Sequence, residues 1–165
     1  MSVTLTGIIG LPLLNVATLL ANCAMFRTLT GAADVNAALA KMIYIESDES
    51  DPDQAALPRC IVGFCPFEFG SELNGTTTWT TKGPLEARIE VLTPEEYLSD
   101  KQDEAKWFAN SLSDLFDQIR GLATSGQGYL NVVNLRLGMC GRLDAEEYNN
   151  VRGMGAELIF EWRGP

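Results

Sequence analysis

Apolar positions along this chain recur with two periods, and those two rhythms account for most of it. In "GAELIFEWRGP" (155–165), Ala156, Leu158, Phe160 and Trp162 fall on one face of an extended chain. Glu157, Glu161 and Arg163 fall on the other, with Ile159 the one misfit. Alternation of this kind predicts a half-buried strand over 155–163, with Trp162 in the core. "LEARIEVL" alternates as cleanly: Leu85, Ala87, Ile89 and Val91 point inward, Glu86, Arg88 and Glu90 outward. "KMIYIE" (41–46) and "YLNVVNLRLGM" (129–139) are further strand candidates. "RCIVGF" (59–64) is apolar on both faces, as a central strand would be.

The second rhythm is helical. Ala105, Phe108, Leu112, Leu115, Ile119 and Leu122 recur at steps of three and four beside Phe116, which predicts a helix over about 102–122. Asp103, Asp114, Asp117 and Arg120 fill its wet side. "TPEE" (93–96) reads as a helix start, with Thr93 as N-cap, Pro94 in the first turn and Glu96 closing a capping box. No charge appears between Met1 and Phe26, and the apolar run there is long enough to raise a signal peptide or membrane anchor. No basic residue precedes it, and Asn22 stands where a lipoprotein cleavage box needs a small residue before Cys23. Asn15, Thr18 and Asn22 form a polar stripe, so the expectation is a packed amphipathic helix over about 12–27, stopped by Gly31.

Two segments fit no core element. "NGTTTWTTKG" (74–83) joins an Asn-Gly turn to a threonine run around one large aromatic, which predicts a hairpin arm. Either Thr77, Trp79 and Thr81 form a contact that a neighbouring subunit covers, or Trp79 folds back on its own sheet. "ESDESDPDQ" (46–54) packs five carboxylates, Glu46, Asp48, Glu49, Asp51 and Asp53, into eight residues. It lacks the glycine and terminal glutamate of a calcium loop, so it reads as a solvated acidic loop.

Composition narrows the function. The chain has 165 residues, 22 acidic and 12 basic side chains, no histidine and a net charge of −10. That length predicts a single domain over 1–165, and the mix of strand and helix patterns makes it α+β. The basic residues are scattered, so no nucleic-acid footprint is visible. Without histidine there is no Ser/His or Cys/His pair, and the glycine pairs match no phosphate-binding or dinucleotide loop. Cys23, Cys60, Cys65 and Cys140 form no zinc pattern and read as buried reduced thiols. The expectation is a non-enzyme with no catalytic residues, metal or cofactor.

The order of elements resembles the tail terminator (tail completion) proteins of long-tailed bacteriophages. The likeness rests on "LPLLNVATLLANCAMFRTL", "LPRCIVGF", "TKGPLEARIEVLTPEE", "AKWFANSLSDLFDQI" and "GMGAELIFEWRG", and the acidic insert at 46–54 departs from the pattern. The fold expected is a mainly antiparallel sheet of about four to five strands, with helices packed on one face and a protruding β-hairpin arm. The resemblance implies a homohexameric ring that caps the tail tube, ends its polymerisation and joins the tail to the head or neck. Its partners would be other copies of itself, the tail tube protein and a head–tail connector or neck protein, in a virion assembled in the host cytoplasm. DNA would pass through without specific binding, and no membrane would be involved. An acidic lumen suits that passage, with Glu46, Asp48, Glu49, Asp51, Asp53, Glu86 and Glu90 as candidates for its wall. The alternatives are another ring component of the virion, such as a connector or tube subunit, and a cytoplasmic acidic protein- or ligand-binding domain.

Overall fold

The computed structural model describes residues 4–44, 57–64, 69–75, 78–125, 131–143 and 152–164. The chain runs α1 (Gly7–Asn22), α2 (Ala24–Thr30), α3 (Val35–Leu39), β1 (Met42–Tyr44), β2 (Arg59–Phe64), β3 (Gly70–Asn74) and β4 (Thr78–Leu92). A 3-10 turn (Glu95–Tyr97) then leads into α4 (Lys101–Thr124), β5 (Val132–Arg142) and β6 (Gly153–Gly164). The fold is α+β, and the described residues form four helices and an open, mixed sheet of six strands in the order β1-β2-β4-β6-β5, with β3 added beside β4. β1 and β2 are parallel, and the other pairings are antiparallel. The sheet is thus larger than expected and not wholly antiparallel.

The alternation in β4 and β6 builds the core. Leu85, Ala87, Ile89 and Val91 are fully buried, and β6 sets Phe160, Leu158, Ala156 and Met154 opposite them. Leu13, Val16 and Leu20 of α1, Phe26 of α2, and Phe108, Leu112 and Leu115 of α4 join the same core. Trp162 is buried, as its place in the alternation requires.

The uncharged N-terminal segment forms two helices instead of one. At Cys23 the backbone is extended, its N–H returns to Leu20 O, and the axes bend by 85°. The bend lets Phe26 and Leu29 reach the core that Leu13 and Leu19 already occupy. The expected polar stripe is half-buried and bonded within the helix: Thr18 Oγ1 donates to Leu14 O, and Asn22 Nδ2 to Thr18 O. Gly31 does stop α2, in the left-handed conformation that glycine favours. No single helix among the described residues is long and apolar enough to cross a membrane.

α4 begins at a different cap from the one expected. Asp100 accepts from the N–H groups of Gln102 and Asp103, while the "TPEE" run makes only the 3-10 turn. Thr93 Oγ1 instead donates to Glu104 Oε1 at 2.6 Å. Ala105 is exposed, and its place in the first turn's buried set goes to Glu104.

Candidate functional site

The described residues show the antiparallel β3–β4 pairing of a hairpin. β3 pairs with the start of β4 from Gly70↔Lys82 to Asn74↔Thr78, with Gly75 at φ 71° in the turn. Leu73 and Trp79 stand opposite each other across the ladder, 48% and 59% exposed. Thr81, expected beside Trp79 at a contact, is buried, and its hydroxyl lies 2.6 Å from Ser71 Oγ. It has no free face to offer, because β6 continues alongside it at Gly164. Thr77 lies outside the described residues.

β4 keeps one register with β6 from Thr81 to Leu92, so its odd-numbered side chains all share a face. Trp79 therefore continues the row of Leu85, Ala87, Ile89 and Val91 past the point where that row is covered.

A second apolar surface opens between α4 and β5, the outermost strand on that side of the sheet. It is a groove of about 670 Å³, floored by Phe108, Leu112 and Met154 and walled by Ala109, Phe116 and Leu137. Ala105 and Ala109 are exposed, Leu137 is 47% exposed, and Phe116 is half-buried. The apolar stripe of α4 is wider than the chain's own sheet covers.

The opposite face of the sheet is charged but not acidic. Glu90 was expected to point into solvent. It faces outward and yet is buried, with its carboxylate 2.6 Å from Arg59 Nε and 2.9 Å from Arg88 Nε. Desolvation is affordable there because two guanidiniums neutralise it, so Glu90 cannot line a channel. Glu86 is half-buried, and burial, reinforced by the nearby Glu157 charge, raises its pKa. By register, Glu72, Glu86, Glu90, Glu157 and Glu161 share this face with Arg59, Lys82, Arg88, Arg136 and Arg163. Acids and bases balance among these strand residues. Glu46, Asp48, Glu49, Asp51 and Asp53 lie outside the described residues.

A cavity of about 360 Å³ sits where Arg88, Glu90 and Glu157 approach the irregular stretch of β5 at Met139–Cys140. Glu157 accepts the Met139 N–H at 3.0 Å there. A Cβ on Gly138 would fall 2.8 Å from the same carboxylate, so the absence of a side chain makes room for this bond.

A second buried carboxylate ties α4 to the sheet. Glu104 is fully buried and receives Arg152 at 2.9 and 3.1 Å, Thr93 Oγ1 and Arg142. Burial works to raise its pKa, but the hydrogen bonds from Arg152, Thr93 and Arg142 outweigh it and hold the carboxyl below its usual range. Both buried carboxylates escaped the sequence reading, since each sits at a position that alternation or helical period marks as ordinary. The available signal was the supply of arginines on neighbouring strands.

Cys23 and Cys60 are buried, and burial pushes Cys23 up to about 12. Cys140 is exposed, against expectation, because β5 is an edge strand. Cys65 lies outside the described residues. No cluster of three or more metal-ligating side chains occurs among the described residues. Most of the charged groups described above pair with one another, and the apolar surfaces at Leu73–Trp79 and along α4 and β5 are suited to contact. In comparisons with known proteins, no family model matches the chain, and no curated protein matches it.

Proposed function

We propose that the protein is a structural virion subunit, forming a ring that caps a phage tail tube, ends its polymerisation and provides the joint to the head or neck. The observation that carries this reading is the core-face row of β4, which runs on beyond its own core to end in the exposed Leu73–Trp79 pair. A large aromatic on an otherwise polar hairpin is costly to leave in water and is a common anchor where subunits meet. In this reading the helices cover one face of the sheet and the β3–β4 hairpin protrudes as the contacting arm. Thr77 and Trp79 belong to that contact. Glu86 and Glu90 leave the list of channel residues, since their face is charge-balanced, and the acidic wall falls to the 46–54 loop. The subunit has no catalytic role, binds no cofactor and lets DNA pass without specific contacts. Its partners are other copies of itself, the tail tube protein and a head–tail connector or neck protein.

A second reading, an acidic domain that binds a protein or ligand, is favoured by the apolar groove along α4. Native mass spectrometry separates the two: a sixfold ring is expected for the terminator, and a monomer or dimer at all concentrations would overturn it. Added to polymerising tail tubes, the ring should halt elongation. A ring without that effect would move the assignment to another ring component of the virion.

A further inference from the structure

We propose that the groove between α4 and β5 receives the β3–β4 hairpin of a second copy of this chain, so that subunits join head to tail. In that contact Trp79 of one copy sits against Phe108, Phe116 and Leu137 of the next. The inference rests on the ring reading and names the surfaces that would build it.

Placement is the first argument. The hairpin leaves the sheet beyond the Thr81↔Gly164 pair, whereas Met154, in the groove floor, pairs with Val91. Ten residue steps separate those two pairs, roughly 33 Å at about 3.3 Å per residue. A projecting apolar pair at one end of the strands and an apolar recess at the other are far apart within one chain. Between copies they make a heterologous contact, which closes into a ring when the rotation between subunits allows it.

Charge is the second. Copies carrying a net charge of −10 repel one another, so an interface is best formed where both surfaces are neutral. The hairpin strand from Thr78 to Thr81 carries no charge. Among the described lining residues of the groove, Asp117 alone is charged, and it lies 3.4 Å from Arg120.

Area sets the extent of the contact. One tryptophan buries about 150–250 Å², well short of the roughly 800 Å² per partner of a stable interface. Leu73 and the hairpin threonines must therefore also be covered. Ala105 and Ala109, exposed on α4, and Leu137, 47% exposed on β5, supply matching surface on the receiving side.

The contact is tested by complementation. Trp79→Ala removes the projecting side chain and leaves the groove, while Ala109→Glu, at an exposed α4 position, blocks the groove and leaves the hairpin. Each variant alone should keep its circular dichroism and lose assembly, with a dissociation constant raised on the order of tenfold or more. Mixed together, they should form a dimer and nothing larger, because one good knob and one good groove remain. In the wild-type ring, Cys140 beside the groove should resist alkylation, and it should regain reactivity on dilution to monomers. If the wild type forms rings but both variants assemble normally, or Cys140 stays reactive within the ring, the groove assignment is overturned and the ring reading stands. If the wild type never assembles, both fall.

Discussion

Nε of Arg59 lies 2.6 Å from Oε2 of Glu90, across the β2–β4 ladder, with the two side chains only 4% and 1% exposed. Deleting one partner strands a buried charge, whereas replacing both removes the need for it. Glu90→Ala should lower unfolding free energy by about 3–5 kcal/mol. The double variant Arg59→Met/Glu90→Leu should recover much of that loss in urea titrations. Equal losses for single and double variants would show that the pair itself contributes the stability.

Glu104 and Glu86 should respond to pH in opposite senses. Glu104 has a folded pKa below its unfolded one, so its stabilisation is complete above the unfolded value and is lost as pH falls through the folded value. Glu86 has a raised folded pKa, so the fold loses stability as pH rises from the unfolded value to the folded one. At neutral pH, Glu104→Gln should destabilise by about 3 kcal/mol or more. Glu86→Gln should be neutral or stabilising by less than about 1 kcal/mol. Thermal melts across pH 3–8 check both signs.

Gly153 allows β6 to approach β4 closely. A Cβ there would lie 2.5 Å from Val91 O, a backbone atom that cannot step aside. Gly153→Ala should cost about 1–3 kcal/mol. Gly141→Ala, where a Cβ meets nothing within 4 Å, is the control and should leave the melting temperature nearly unchanged.

Thiol labelling tests the burial pattern. In a Cys65→Ser background, Cys140 of the monomer should react readily, and Cys23 and Cys60 only after denaturation. Fast reaction at three sites in the native protein would contradict the packing of α1 and β2.

Chelation addresses the acidic loop at 46–54, which lies outside the described residues. Dialysis against a chelator should leave the melting temperature unchanged. A fall of several degrees would reveal a structural cation.

Strands and the long helix were legible because burial on one face writes a period into the sequence, as Leu85 through Val91 and Phe108 through Ile119 illustrate. β2 was read to the residue, 59–64, since a central strand is apolar on both sides. The bend at Cys23 was not legible: nothing in an uncharged run marks where two helix axes part, and the bend is set by what α1 and α2 must both reach. The burial of Glu90 and Glu104 was not legible for a related reason. Periodicity reports which way a side chain points, and it is silent on whether arginines from other strands will meet it there. Of the candidate contact residues, Trp79 was visible as an aromatic out of place. The groove along α4 was not, because its walls come from residues more than twenty positions apart and its openness depends on β5 being an edge.

The sheet order also dictates a sequence of events at the ribosome. β6 lies between β4 and β5, so β5 is synthesised before its sheet neighbour β6 can hold it. Until β6 pairs, β4 has an unpaired side and β5 has no partner strand among the described strands, with Val133, Leu137 and Met139 free to find another chain. A chain truncated after Arg142, which leaves β4 and β5 without β6, should give far less soluble protein than the full chain.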